Sequence, residues 1–596
     1  MQVTKDHKIG RLWLNRPARE VLINSIPELI ETPHLSFLFK NMTLADYATQ
    51  FHRESSWLDQ LIRELEALPD ELVQVRQWGE DSAVSTYDDP AEAASAVVRA
   101  PEQTEKWGVF ELELHGPSAG NPFVDVELGA EFEYVGKDGR ESEGQSGEQV
   151  KRIVKVTGFY DGNGVYRIRF MPDAEGVWRY RTASNARSLS GLEGRFVCTA
   201  PSEGNHGPVR VKNTYHFAYE DGTPYHPIGT TCYAWTHQGV ELEEETLKTL
   251  KSSPFNKLRM CVFPKSYLYN LNEPDIYPFE RAADGNWDFT RFNVEFFRHL
   301  ERRIADLGKL GIEADLILFH PYDRWGFAEM PSDADDRYLR YITARLAAFR
   351  NVWWSLANEY DLMWAKDPED WERFARIVTE NDPYRHLISV HNCLQFYDYN
   401  KPWVTHCSIQ RIDVYKTSEA TTDWRQVWKK PIVIDECGYE GDIDQGWGNL
   451  TGEELVRRFW EALVRGGYLG HGETYLNPEE VLWWSKGGKL TGDSPARIAF
   501  ARTFLEEAPQ GELNPLPSDW DLPCAGVEDQ YRLYYFGFNR PTFREFRLRP
   551  GIAWKVSIID TWNMTIEELP GLYEGTFRID LPRRPYMAVR MIRSGN

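Results

Sequence analysis

VWWSLANEYD (residues 352–361) is an apolar run that stops on an Asn-Glu pair. A parallel strand buried on both faces needs apolar side chains on both, so it does not alternate. A glutamate at its C-terminal end adds nothing to packing. PIVIDECGYEG (431–441) repeats the pattern further along and ends its apolar run on Glu436. Two strand ends that carry carboxylates, Glu359 and Glu436, point to a single cleft.

Outward from these two runs, strand, loop and helix alternate from Tyr225 to about Glu507. Candidate strands are 226–235, 257–264, 312–321, 352–359, 386–393, 404–410, 432–436 and 468–476. Candidate helices fall between them at 241–253, 290–310, 334–349, 368–382, 420–429 and 451–466, with a reduced connection between the fifth and sixth strands. Eight such units over roughly 280 residues predict a (β/α)8 TIM barrel. A doubly wound sheet would carry a Gly-rich phosphate loop after its first strand, and IGTTCYAW (228–235) has none.

The flanks differ in texture. From Trp107, segments such as GVFELELHG and GVYRIRFMP alternate with period two between Gly, Asp and Asn turns, the pattern of a β-sandwich. After Pro515 the alternation returns in QYRLYYFGFN and YMAVRMIR. Residues 1 to about 75 read as helices, including SSWLDQLIRELEAL with apolar residues at 3–4 spacing. Residues 76–104 have a linker's acidic, Ala/Pro-rich composition. The expected architecture is therefore a multidomain α/β chain: a helical N-terminal arm and linker (1–104), an N-terminal β-sandwich (105–211), the barrel (212–512) and a C-terminal β-sandwich (513–596). The arm is expected to dock or dimerise, which makes a homo-oligomer plausible.

The 596 residues carry a formal charge of −23, which argues against nucleic acid as a partner. The seven cysteines show no CxxC or other short spacing, so neither zinc nor a disulfide framework is expected. The N-terminus lacks an apolar stretch of signal-peptide length and no run is long enough to span a membrane, so the expected location is cytoplasmic.

In a barrel the strand C-termini form the active face. The fourth strand delivers Asn358 and Glu359 there, and the seventh delivers Glu436. Carboxyls about 5 Å apart suit retaining glycoside hydrolysis, one protonating the leaving oxygen and the other attacking the anomeric carbon. Arg259 lies inside the second strand, where an unpaired guanidinium would be costly, and Glu436 is its expected partner. His320 and His391 end the third and fifth strands and are expected to bind sugar hydroxyls or orient a carboxylate. Trp235, Trp483 and Trp484 offer flat faces for a sugar ring. Strand alternation turns Asp435 to the face opposite Glu436. Glu440 and Glu473 are spare carboxylates near the mouth.

This pattern resembles the clan A (4/7 superfamily) glycoside hydrolases: Asn-Glu ending strand four, Glu ending strand seven, Arg on strand two, His on strand three, and E-x-G at 436–438. The sandwich–barrel–sandwich layout, over roughly residues 105–596, resembles bacterial family 5-like and apiosidase-like barrels. The resemblance implies Glu359 as acid/base, Glu436 as nucleophile and Asn358 on the sugar 2-hydroxyl, with no cofactor and no metal. It departs at strand six, which ends in Ser408-Ile409-Gln410, with Tyr415 a few residues on, where the family places an aromatic against the nucleophile. The expected function is retaining, exo-acting hydrolysis of plant-type oligosaccharides. Two alternatives are a non-catalytic glycan-binding barrel and a metal-dependent barrel hydrolase, for which the chain lacks an HxH motif.

Overall fold

The computed structural model describes residues 3–68, 87–137, 152–413 and 416–595. Eight barrel strands are present: β1 (Gly229–Thr231), β2 (Lys257–Cys261), β3 (Glu313–Phe319), β4 (Val352–Ala357), β5 (Ile388–Ser389), β6 (Cys407–Gln410), β7 (Ile432–Glu436) and β8 (Tyr468–His471). Their hydrogen-bonded order is β5-β4-β3-β2-β1-β8-β7-β6, and a parallel bridge from His391 to Ser408 joins the two ends. Every residue of β3 and β4 is buried, which is why these runs do not alternate. Helices Val240–Lys251, Val294–Lys309, Ser332–Leu346, Pro368–Asn381, Thr421–Trp428 and Gly452–Leu463 fall in the expected intervals. Asp367 starts one with a reciprocal capping box, and the Thr451 hydroxyl caps another.

Several boundaries differ from the sequence reading, the fifth strand shrinking to Ile388–Ser389 and the sixth to Cys407–Gln410. β4 stops at Ala357, because Glu359 takes a left-handed backbone (φ 51°) and opens the 3-10 turn Tyr360–Leu362. The first strand is three residues long, and Trp235 lies in a 3-10 turn, Trp235–His237, beyond it. Between the second strand and the next barrel helix the chain forms an antiparallel hairpin, Phe279–Arg281 paired with Trp287–Phe292.

The chain forms two compact units. The first comprises residues 1–207, 261–305 and 316–386. Its N-terminal helices, among them Arg16–Ser25 and Ser55–Glu66, bury Leu22, Tyr47, Leu61 and Leu65 in a core that also takes in Trp364 and Ala365 from the segment after β4. The apolar face of the arm is thus covered within its own chain. Two further sheets, of four and five strands, face each other through the stacked pairs Phe110–Phe196 (3.7 Å) and Phe132–Phe170 (4.1 Å). A buried network follows, with Arg169 on Glu301 at 2.8 Å and Arg345 on Asp161 at 2.9 Å. Part of the expected linker, 76–86, lies outside the described residues.

The second unit comprises residues 208–260, 306–315 and 387–596. Val209–Lys212, where the N-terminal sandwich was expected to end, pairs instead with His216–Tyr219 in a separate three-stranded sheet. Toward the C-terminus a six-stranded and a two-stranded sheet enclose Trp554, Val556, Val589, Met591 and Phe546. All seven cysteines lie among the described residues, and all are free thiols. No helix among the described residues is long and apolar enough to cross a membrane.

Lys366 and Asp335 form a fully buried ion pair at 2.6 Å, and Lys366 also donates to the Met330 carbonyl at 2.8 Å. Removing Lys366 leaves the buried Asp335 to Arg373, whose Nη2 is 3.8 Å away. Lys366→Met is expected to lower unfolding stability by about 3 kcal/mol in chemical denaturation. A loss below about 1 kcal/mol would show that Arg373 compensates the charge.

Candidate active site

Glu436 is the last residue of β7, and a β-bulge sets its direction. Ile409 pairs with Ile434 and Gln410 with Glu436, so Asp435 is the extra residue. Bulges of this kind re-aim side chains. Asp435 alternates with Val433, the partner of Ser408, and so lies on the side of the charge cluster, while the bulge re-aims Glu436. The Asp435 carboxylate meets Lys257 at 2.7 Å, the Ser408 hydroxyl at 2.5 Å and Arg259 at 3.6 Å. Lys257 and Arg259 also pair with Asp315, at 2.5 and 3.4 Å. Burial opposes the charged form of Asp435, but Lys257 and Arg259 outweigh it and hold its carboxyl below the usual range. Burial likewise opposes the charged Arg259, whose pKa is nonetheless raised by Asp435 and Asp315. These two aspartates, rather than the expected Glu436, are its ion-pair partners, and the charge of Glu436 contributes less.

Glu436 is 8% exposed, and its Oε1 accepts a short hydrogen bond from the Tyr233 hydroxyl. His391 Nε2 lies 3.9 Å from the same oxygen. Burial and the nearby Arg259 drive the pKa of His391 well down, so a neutral imidazole faces the carboxylate. Around them, Trp484 meets Tyr233 edge-on at 6.1 Å and Trp447 at 5.0 Å, and Tyr439 meets Trp447 edge-on at 6.0 Å. The Tyr439 phenol is buried, and its pKa is raised by burial and by Glu436. Trp447 is only half-buried.

Of the three predicted tryptophans, Trp484 joins this cluster, and it too is buried, at 3% exposed. The other two are packed as core. Trp235 is wholly buried with Nε1 on the Met260 sulfur at 3.4 Å, and Trp483 is 1% exposed with Nε1 donating to the Thr230 hydroxyl at 2.8 Å. Neither indole offers a free face to a sugar.

Glu359 belongs to the first unit. It is 4% exposed, and its Oε2 accepts a short hydrogen bond from the Tyr322 hydroxyl. Its left-handed backbone is uncommon for a residue with a long side chain and persists where surroundings enforce it, often at functional sites. Tyr322 is itself enclosed: Lys265 Nζ lies 4.2 Å over its ring, Tyr267 is at 4.7 Å and Phe37 meets it edge-on at 4.8 Å. His320, one residue past β3, places Nε2 3.2 Å from the Phe263 carbonyl oxygen and its ring 6.4 Å from that of Tyr322. Asn358 is buried, and its backbone N–H donates to the Phe319 carbonyl at 2.9 Å.

Tyr233, Tyr322, Tyr439, Trp447, Lys265 and Phe37 were missed in the sequence. Tyr233 and Tyr322 stand two and three residues past the ends of β1 and β3, the position at which barrel strands present functional side chains. Tyr415 lies outside the described residues.

Glu440, Glu473 and His471 bring potential ligand atoms within 4.8 Å of one another. All four carboxylate oxygens already accept hydrogen bonds. Those of Glu440 take the backbone N–H of Asp493 (2.8 Å) and Ser494 (3.1 Å), and those of Glu473 take Thr491 (2.6 Å) and Gly492 (2.9 Å). The two glutamates thus tether the chain where helix Ser494–Glu507 begins. His471 bonds the Thr230 hydroxyl at 2.9 Å, and burial lowers its pKa to about 3.

The family model described as apiosidase-like, catalytic domain, matches residues 211–495. A crystal structure from Bacteroides vulgatus ATCC 8482, of a protein assigned as a glycoside hydrolase, is 40% identical to this chain, with a TM-score of 0.76. The match covers 83% of this chain and 100% of that one. The chain belongs to the glycoside hydrolases. A family 5 glycoside hydrolase from Bacteroides vulgatus ATCC 8482 shares the hydrolase's fold at 15% identity and a TM-score of 0.52, covering 65% of this chain and 94% of that one. Two domains of unknown function, DUF5060 and DUF5605, match residues 103–185 and 520–592, on either side of the barrel. No curated protein matches.

Burial, and then the charge of Glu440, push the Glu473 carboxyl of the hydrolase up to about 7 from 4.5. A raised carboxyl stabilises the fold below its unfolded pKa, and that contribution is lost as pH rises through the folded value. Between pH 4.5 and 7 the wild type is therefore expected to lose about 2–3 kcal/mol relative to Glu473→Gln. Thermal melts across that range check this; a gap that stays constant with pH would contradict it.

Proposed function

We propose that the hydrolase cleaves O-glycosidic bonds of short plant-type oligosaccharides by double displacement, with Glu436 as nucleophile and Glu359 as acid/base. One observation carries the reading. Each carboxylate closes or follows a barrel strand, is almost fully buried, and accepts a tyrosine hydroxyl. Glutamates used only for surface charge are rarely so enclosed.

In the first step Glu436 attacks the anomeric carbon while Glu359 gives its proton to the departing oxygen, leaving a glycosyl ester on Glu436. In the second, Glu359 takes a proton from water, the water oxygen attacks the anomeric carbon, and the ester bond breaks to restore the Glu436 carboxylate. Tyr233 holds one oxygen of Glu436 and leaves the other for attack. It fills the part the family gives to a sixth-strand aromatic. His391, held neutral, adds no charge that would blunt the nucleophile. Asn358 is assigned to the sugar 2-hydroxyl, His320 to a sugar hydroxyl or to steadying the acid side, and Trp484 with Trp447 to the sugar face. Arg259 acts through Asp435 rather than on substrate.

Release of a terminal unit is favoured by the aromatic segment around Tyr267 and by the apiosidase-like description of the matched family. We read the enzyme as cytoplasmic and independent of nucleic acid.

A screen of nitrophenyl glycosides is expected to find one hydrolysed with retained anomeric configuration. A 2-fluoro analogue of that sugar is expected to label the peptide carrying Glu436, and Glu436→Ala is expected to lose at least about 10³-fold in kcat. Full activity in Glu436→Ala, or label on another carboxylate, would overturn the assignment. Polymer cut in mid-chain would overturn the exo mode alone.

A further inference from the structure

The matched family ranges begin at residue 103, so none of them reaches the N-terminal helices. Those helices nonetheless pack on the segment that carries Glu359. Trp364, five residues beyond Glu359, sits in their core with Leu12, Tyr47 and Leu65. The approach is close: a Cβ on Gly10 would fall 2.6 Å from the Trp364 ring. Lys40 lies over Trp364 at 4.8 Å and over Trp13 at 4.4 Å, and Arg11 pairs with Asp367. Two contacts reach nearer the carboxylate. The Asn41 side-chain amide donates to the Asp361 carbonyl at 2.8 Å, inside the turn that Glu359 opens. The Phe37 ring meets, edge-on at 4.8 Å, the Tyr322 ring whose hydroxyl binds Glu359.

A left-handed backbone is costly for a glutamate and persists only where neighbours over-determine it. Here the arm supplies neighbours on both sides, one through the turn's backbone and one through the carboxylate's own hydrogen-bond donor.

We propose that the N-terminal arm is a positioning element for the acid carboxyl: Phe37 and Asn41 hold Tyr322 and the 359–362 turn so that Glu359 is aimed at the leaving oxygen of the glycoside. Neither residue touches substrate. The inference rests on Glu359 being the acid/base, and it makes the arm a determinant of which aglycones the enzyme can expel. A poor leaving group, such as a sugar or alkyl alcohol, needs a well-placed proton; a dinitrophenolate does not.

The test compares kcat/KM on alkyl and dinitrophenyl glycosides of the sugar found in the screen, for wild type, Phe37→Ala, Phe37→Leu and Asn41→Ala, each checked by thermal melt. With the alkyl aglycone, Phe37→Ala and Asn41→Ala are expected to lose about 10- to 100-fold, with the basic limb of the pH profile displaced. With dinitrophenyl they should stay within about twofold of wild type, and Phe37→Leu should recover part of the loss. Equal losses on both substrates, or none on either, overturn the proposal. Should Phe37→Ala fail to fold, Asn41→Ala decides alone. Glu359→Ala separates the two readings: if it shows no leaving-group dependence, the acid/base assignment fails. If it does and the arm variants do not, only the role of the arm fails.

Discussion

Four charges share the barrel interior: Lys257, Arg259, Asp315 and Asp435, none more than 3% exposed at its side chain. Two cations against two anions leave the set neutral, and each member has an opposite charge within 4 Å. Burial of this kind is a poor source of net stability, because desolvation offsets the attraction, but any one member left alone would be costly. What the set provides is direction. It holds Asp435 in the interior, and the bulge at the end of β7 turns the next residue, Glu436, to the tyrosine and imidazole beyond it.

Both glutamates accept a phenol hydroxyl. A phenol bonded to one carboxylate oxygen fixes the plane of the group without cancelling its charge. A guanidinium in the same place would hold the charge harder and weaken the nucleophile. The cations are kept one position back, on Asp435, where they favour ionisation of a group that does not react. Charge and reactivity are thereby separated along two adjacent residues, an arrangement in keeping with preorganised electrostatics at a reacting centre.

The barrel was legible because buried parallel strands write themselves as apolar runs, as in residues 352–357 and 432–434, and because helices of 3–4 period fall between them. The two glutamates stood out as strand ends with no packing purpose. Other features left no local trace. The bulge that re-aims Glu436 depends on the pairing of β7 with β6, which alternation along one strand cannot reveal. Trp235 and Trp483 look no different in sequence from Trp484; only packing separates an indole locked on Met260 or Thr230 from one in an aromatic cluster. The amphipathic arm announced an apolar face but not what covers it, and the cover proved to include Trp364 of the same chain.

The buried thiols have a consequence of their own. Burial lifts the thiols of Cys198 and Cys437 to about 12 and that of Cys524 to about 11, and raises Cys407 as well. Thiolate, the form that oxidants and alkylating agents attack, is therefore scarce at these sites near neutrality. At these four positions a maleimide that reacts would report breathing of the core rather than an exposed surface.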